Sequence, residues 1–343
     1  MVQQKKLVDE VSGWLRIYND GSVDRTWTGP PEVTFMIEPV APHEQFIEGV
    51  AIRDVTTTTS TTTNTQDGSI HRARLYLPEK TPEDNKKLPI LLHFQGGGFC
   101  ISEPNWFMYY HVYTELVRST RSICVSPYLR RAPEHRLPAA IDDGFATLQW
   151  LQSVAKGDVR DPWLEEHGDF DKIFLIGDSS GGNIVHEVAA RAGSVDLTPV
   201  RLAGAIPIHP GFVRSYRSRS EIEMPQSPFL TLDMLDKFLG LALPIGSNKD
   251  HPFTCPMGSG APPLDGLKLP PFLLCLAEND LLKDTEMEYY EAMKKANKEV
   301  DLFVSKGMTH SFYLNKIAVD LDPTVGAQMN ALIGRVKEFI EKH

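Results

Sequence analysis

Cysteine is scarce in this chain, long apolar runs are missing, and positive charge is in the minority. Four cysteines, Cys100, Cys124, Cys255 and Cys275, are scattered over 343 residues with no C-x-x-C pair and no histidine pair nearby. That spacing argues against a structural zinc site or a dithiol redox pair. Cys124 and Cys275 fall in strand-like apolar runs and read as small buried residues. Unpaired thiols fit a reducing compartment, and the expected location is cytoplasmic. The longest apolar stretches, at 90–94 and 272–277, fall far short of the roughly 18 residues a membrane-spanning helix needs. The N-terminal stretch carries Lys5 and Lys6 with no apolar core behind them, which is not a secretory-signal pattern. Asp and Glu outnumber Lys and Arg by 45 to 35, giving a net charge of −10, so a phosphate backbone is repelled. Arg214, Arg217 and Arg219 form the nearest approach to a basic patch and read as a solvated face. Neither nucleic acid nor a membrane span is expected.

Apolar residues at 41% and charged residues at 23% are ordinary for a globular chain. The length allows two domains or one large decorated domain. Residues 1–50 are interrupted by Pro30, Pro31, Pro39 and Pro42. Within them, Leu7, Val8, Val11, Trp14 and Leu15 have helical spacing and predict a short helix over 7–17. Asn19-Asp20-Gly21 then marks a turn. Residues 56–65 hold eight threonines in ten, followed by Asp67-Gly68, and read as a solvated hairpin tip.

Beyond that point the pattern is regular. Strand-length apolar runs occur at 72–77, 89–94, 122–126, 172–177, 203–208, 272–277 and 300–305. Helix-period segments fall at 106–118, 138–155, 181–192, 285–297 and 325–341. The middle strands are apolar throughout, as parallel strands covered on both faces must be. The alternation predicts a doubly wound α/β fold, whose ligands bind beyond the carboxyl ends of the strands. Residues 211–269 break the alternation. They hold one helical pattern (Leu230, Met234, Leu235, Phe238, Leu239) among prolines, and read as an insertion folded over the sheet.

The run 172–177 leads directly into Gly177-Asp178-Ser179-Ser180-Gly181. G-x-S-x-G between a strand and a helix is a nucleophile elbow, which presents Ser179 at a helix N-terminus. A serine hydroxyl needs a base. In this arrangement an acid and a histidine follow the serine in chain order. Asp280 lies just past the run 272–277, and His310 just past 300–305. Glu278 and Asp284 are fallback acids. His93 and His186 read as packed core residues. His209 also follows a strand and competes with His310, but it precedes Asp280, which is the wrong order. Gly96, Gly97 and Gly98 follow the run 89–94, and their N–H groups, with that of Ser180, are candidates for an oxyanion hole. No Lys-Ser or Lys-Thr follows these glycines, so they are not a P-loop.

With these residues in view, the chain resembles the plant carboxylesterases of the hormone-sensitive-lipase branch of α/β hydrolases. The carrying stretches are Gln95-Gly-Gly-Gly-Phe99, Arg131-Ala-Pro-Glu-His-Arg-Leu-Pro-Ala-Ala140, Gly177 to Asn183, Asp280 to Asp284 and His310 to Phe312. The resemblance implies an α/β-hydrolase fold with a mostly parallel sheet flanked by helices. It also implies a helical cap built from residues 1–50 and 211–269 over a core of 51–210 and 270–343. It casts Ser179 as nucleophile, His310 as base and Asp280 as acid, with no metal or organic cofactor. Two departures stand out: Gln95 where the family has histidine, and Tyr128-Leu129-Arg130-Arg131 where it has Asp-Tyr-Arg-Leu. The family also holds a gibberellin receptor that lacks the histidine, and dehydratases or cyclases that keep part of the site. His310 is retained here. The expected activity is hydrolysis of a small-molecule carboxylic ester; a lyase or cyclase, and a non-catalytic receptor, are the alternatives.

Overall fold

The chain begins with strands where a helix was expected. In the computed structural model, which describes residues 4–57, 71–81 and 86–343, β1 (Leu7–Val11) and β2 (Leu15–Tyr18) form an antiparallel hairpin joined by β3 (Val23–Asp24). The apolar spacing over 7–17 matches a helix, but Gly13 takes φ +75° in the connecting turn and ends the first strand. The helical contribution expected from residues 1–50 is therefore a small sheet, followed by a 3-10 turn over Pro31–Ile37.

Next come β4 (His43–Ile47), β5 (Val50–Thr56) and β6 (Arg72–Pro78), then β7 (Leu88–Phe94), α1 (Phe107–Thr120), β8 (Ile123–Pro127), α2 (Ala139–Lys156) and α3 (Pro162–His167). After them run β9 (Gly168–Asp178), α4 (Ser180–Ala192) and β10 (Leu202–Ile208). Among the described residues β4 to β10 join β11 (Phe272–Ala277) and β12 (Val300–Ser305) in one sheet. Its order is β12-β11-β10-β9-β7-β8-β6-β5-β4. The strands from β12 to β8 run parallel, and β6, β5 and β4 add an antiparallel edge. β4 and most of β5 were not legible as strands. Their alternation is weak, and they are held by pairing along the sheet edge. The sheet thus starts at His43, inside the segment assigned to the cap. From residue 58 the threonine-rich hairpin tip lies outside the described residues.

Between β10 and β11 lie α5 (Arg219–Glu223) and α6 (Leu232–Ala242). α7 (Lys283–Lys295) follows β11, and α8 (Lys316–Leu321) and α9 (Pro323–Lys342) follow β12. α1 and α9 pack together on one face of the sheet. α2 and α4 cover the other, where His186 of α4 bonds Tyr289 of α7 at 2.9 Å. The two helical layers explain the continuous apolar runs: residues 173–176 and 272–277 are almost wholly buried. All four cysteines are buried free thiols. Among the described residues no helix is long and apolar enough to cross a membrane.

Candidate active site

Five loops leave the carboxyl edge of the parallel strands and converge. Ser179 follows β9 with φ 51° and ψ −122°, a strained conformation for a residue with a side chain. The flanking glycines permit it. A Cβ on Gly181 would stand 2.0 Å from the Phe94 carbonyl oxygen, so only glycine lets α4 start so close to β7. Ser179 is also the N-cap of α4, so its Oγ sits at the positive end of the helix dipole.

His310 Nε2 lies 2.9 Å from Ser179 Oγ, and His310 Nδ1 lies 2.7 Å from Asp280 Oδ2. Asp280 is fully buried. Burial alone would raise its carboxyl. The charge of His310 and its hydrogen bond outweigh that, helped by His209 and the Leu282 N–H, and hold the pKa below the usual carboxylate value. Leu282 N–H donates to Asp280 Oδ1 at 2.9 Å, so each carboxylate oxygen has a partner. Glu278 instead accepts from Gly307 N–H, and Asp284 accepts from Ser220 N–H on the insertion. Neither fallback acid makes a hydrogen bond to His310.

The loop after β7 passes beside Ser179. Gly97 and Gly98 have φ 96° and 60°, and a Cβ on Gly98 would stand 2.5 Å from the Phe238 ring. Among the described residues no hydrogen bond engages the N–H of Gly97, Gly98 or Ser180. Gly96 differs from the expectation that grouped it with these donors. Its N–H already donates to Tyr109 Oη at 3.0 Å, with Asp178 Oδ1 at 3.3 Å. It supports the loop and is not a free donor. The loop is braced further by Phe99 N–H to Ser180 Oγ at 3.1 Å. Arg25 braces it from the N-terminal sheet, with Nε donating to the Cys100 carbonyl at 2.7 Å and Nη1 to Glu134 at 2.8 Å. Gln95, the departure from the family histidine, is buried and its Oε1 has no partner among the described residues.

Above Ser179 lies a cleft of about 690 Å³ counted to its open mouth. Its walls are apolar: Trp14 from the β1–β2 turn, Met108 of α1, Phe229, Met234 and Phe238 of the insertion, and Leu282. Phe229 and Phe238 reach this cleft from the insertion. Trp27 packs edge-on to Trp14 at 4.5 Å, Phe35 packs on Phe107, Phe212 packs on Tyr289, and Phe46 and Tyr216 are exposed. The spacing of Trp14 fits the buried face of a helix, so the sequence alone does not place it at the cleft.

His209, set aside on chain order, is in the site. It is fully buried, and one atom each of His209, Asp280 and His310 lie within 4.8 Å of one another. Among the described residues these three form the only such cluster of potential metal ligands. Asp280 and His310 hold each other, however, and His209 Nδ1 accepts from Ser311 N–H. His93 and His186 are packed, bonded to Ser126 and Tyr289.

A serine on an elbow at the centre of a mixed sheet, with a buried His–Asp pair behind it, is the layout of an α/β hydrolase. A family model described as alpha/beta hydrolase fold matches residues 91–314, and the chain belongs to that family. It is 33% identical over 311 residues to "Probable carboxylesterase 6" of Arabidopsis thaliana, covering 90% of this chain and 85% of the relative. It is 37% identical over 266 residues to "Tuliposide A-converting enzyme 1, chloroplastic" of Tulipa gesneriana, covering 77% of this chain and 66% of that one. The carboxyl esterase 2 structure from Tuber melanosporum superposes with a TM-score of 0.69 at 20% identity, covering 87% and 90%, which is a likeness of fold. The protein is a carboxylesterase-like α/β hydrolase.

Proposed function

We propose that the chain is a serine carboxylesterase acting on small neutral esters. The observation that carries this is the unbroken relay Ser179–His310–Asp280, at 2.9 and 2.7 Å, facing an apolar cleft beside unengaged backbone N–H groups. In this reading Ser179 Oγ attacks the ester carbonyl carbon while its proton passes to His310 Nε2. Asp280 keeps the proton of His310 on Nδ1 and stabilises the imidazolium. The N–H groups of Gly97, Gly98 and Ser180 receive the oxyanion. The intermediate collapses, the leaving alkoxide takes the proton from Nε2, and an acyl group remains on Ser179. Water repeats the sequence and releases the acid. The part of residues 1–50 before His43, with 211–269, caps the site and sets which ester enters. Four buried free thiols support a reducing compartment such as the cytosol, and cell fractionation with a plastid fraction checks it.

The test is Ser179→Ala assayed on p-nitrophenyl esters of graded acyl length. Turnover should fall by about 10³-fold or more, and an organophosphate should label the wild-type serine and not the variant. Equal rates would sink the assignment. A second reading is a lyase or cyclase using the same pocket for proton transfer; one relative is named for converting tuliposide A and not for ester hydrolysis. This second reading predicts no acyl-enzyme by mass spectrometry, whereas the esterase reading predicts one on Ser179.

A further inference from the structure

The relay explains three side chains and leaves a fourth, His209, unaccounted for. His209 directly follows β10 and holds φ 45°, a left-handed conformation that a side chain disfavours. Its backbone is clamped there: its N–H donates to the Cys275 carbonyl at 2.8 Å, and the preceding Ile208 carbonyl accepts from Ser179 N–H at 3.0 Å. Its ring reaches across to the loop after β12, where Nδ1 accepts from Ser311 N–H at 2.9 Å. Ser311 is the neighbour of His310 and is itself left-handed, with φ 51°. Two strained residues on two loops are thus joined by one buried hydrogen bond, directly behind His310.

An accepting Nδ1 carries no proton, so a neutral ring must carry its proton on Nε2. Burial pushes the His209 pKa down to about 3, with Asp280 opposing and His310 reinforcing the shift. The titratable groups around the ring are Asp280, His310 and Tyr313, with buried Glu286 beyond Asp280. The His209 ring centroid is 5.9 Å from that of His310 and packs against Phe312 and Tyr313. A histidine that only filled space would not need this acceptor, because an apolar ring would fill the same volume.

We propose that His209 is a positioning residue for the relay: its Nδ1 holds the Ser311 amide and thereby sets His310 within reach of both Ser179 and Asp280. The proposal uses the esterase reading above for its rate measurements. Asn Oδ1 stands near the Nδ1 position and can accept from Ser311, whereas Gln reaches the Nε2 position and leaves that amide without a partner. H209Q should therefore lower kcat by about ten- to a hundred-fold, the range for orphaning a buried donor, with KM within about three-fold. H209N should be at least about ten-fold faster than H209Q. Organophosphate labelling of Ser179 should slow in the same order. H209Q at wild-type kcat would overturn the proposal. So would H209N as slow as H209Q when both melt at the wild-type temperature.

A measurement on the unmodified protein needs no folded variant and no ester turnover. Nitrogen-15 NMR of the histidine rings should show His209 as the neutral Nε2–H tautomer from pH 5 to 9. An Nδ1–H tautomer, or titration in that interval, would overturn the proposal whatever the variants do. If wild type turns over no ester, the esterase reading fails, and the NMR result still decides the placement of His209.

Discussion

Replacing Asp280 with Asn changes one atom and tests the whole relay. The carboxylate is fully buried, with Oδ2 on His310 Nδ1 at 2.7 Å and Oδ1 on the Leu282 N–H at 2.9 Å. An Asn amide cannot serve both partners. If its oxygen stays on the Leu282 N–H, its NH₂ faces His310 Nδ1 and forces the ring proton onto Nε2, so His310 can no longer take the Ser179 proton. If the amide flips, NH₂ meets N–H at Leu282. Charge loss adds to this. Unit charges about 4 Å apart at an effective dielectric near 20 attract by about 4 kcal/mol, which the imidazolium transition state loses. At about 1.4 kcal/mol per decade that is about 10³-fold in kcat, and the wrong tautomer makes it a lower bound. The assay is stopped-flow acylation by a short p-nitrophenyl ester, beside a thermal melt. KM should change little, because Asp280 does not line the cleft. A kcat within ten-fold of wild type, from protein with an unaltered melt, would refute the reasoning.

Two further outcomes are expected. In Gly98→Ala the new Cβ would meet Phe238 at 2.5 Å on a backbone of φ 60°, so the glycine loop must shift; kcat should fall about 10²-fold or more, and full activity would show that this loop does not hold the oxyanion. Burial pushes the Glu187 carboxyl up to about 7, with Arg191 opposing. A raised carboxyl contributes full stability below its unfolded value near 4.3 and loses it as pH rises toward 7. Glu187→Gln should therefore stabilise the fold more at pH 8 than at pH 4, by at most about 4 kcal/mol and less for a half-buried group. Equal gains at both pH values would contradict that cause.

The parallel strands, their helices and the placing of Ser179, Asp280 and His310 just past strand ends were legible in the chain. Their signals are local. A strand buried on both faces must be apolar throughout, an elbow must have glycines around its serine, and working residues must stand just past strand ends. Residues 7–17 and the edge strands β4 and β5 were not legible. Edge and hairpin strands owe their state to a partner, and the spacing of Leu7, Val11 and Trp14 serves a helix as well as a hairpin that turns at Gly13.

What only the tertiary structure decided are distances between groups far apart in the chain. It spent the Gly96 N–H on Tyr109 and left those of Gly97 and Gly98 unengaged. It set Trp14 over the cleft and tied the N-terminal sheet to the glycine loop after β7 through Arg25. It also brought His209 behind His310, 101 residues later in the sequence, through the Ser311 amide. Chain order could rank His209 below His310 as the base. It could not exclude His209 from the site, because chain order governs which strand end a residue leaves, while the converging strand ends bring all such residues to one place.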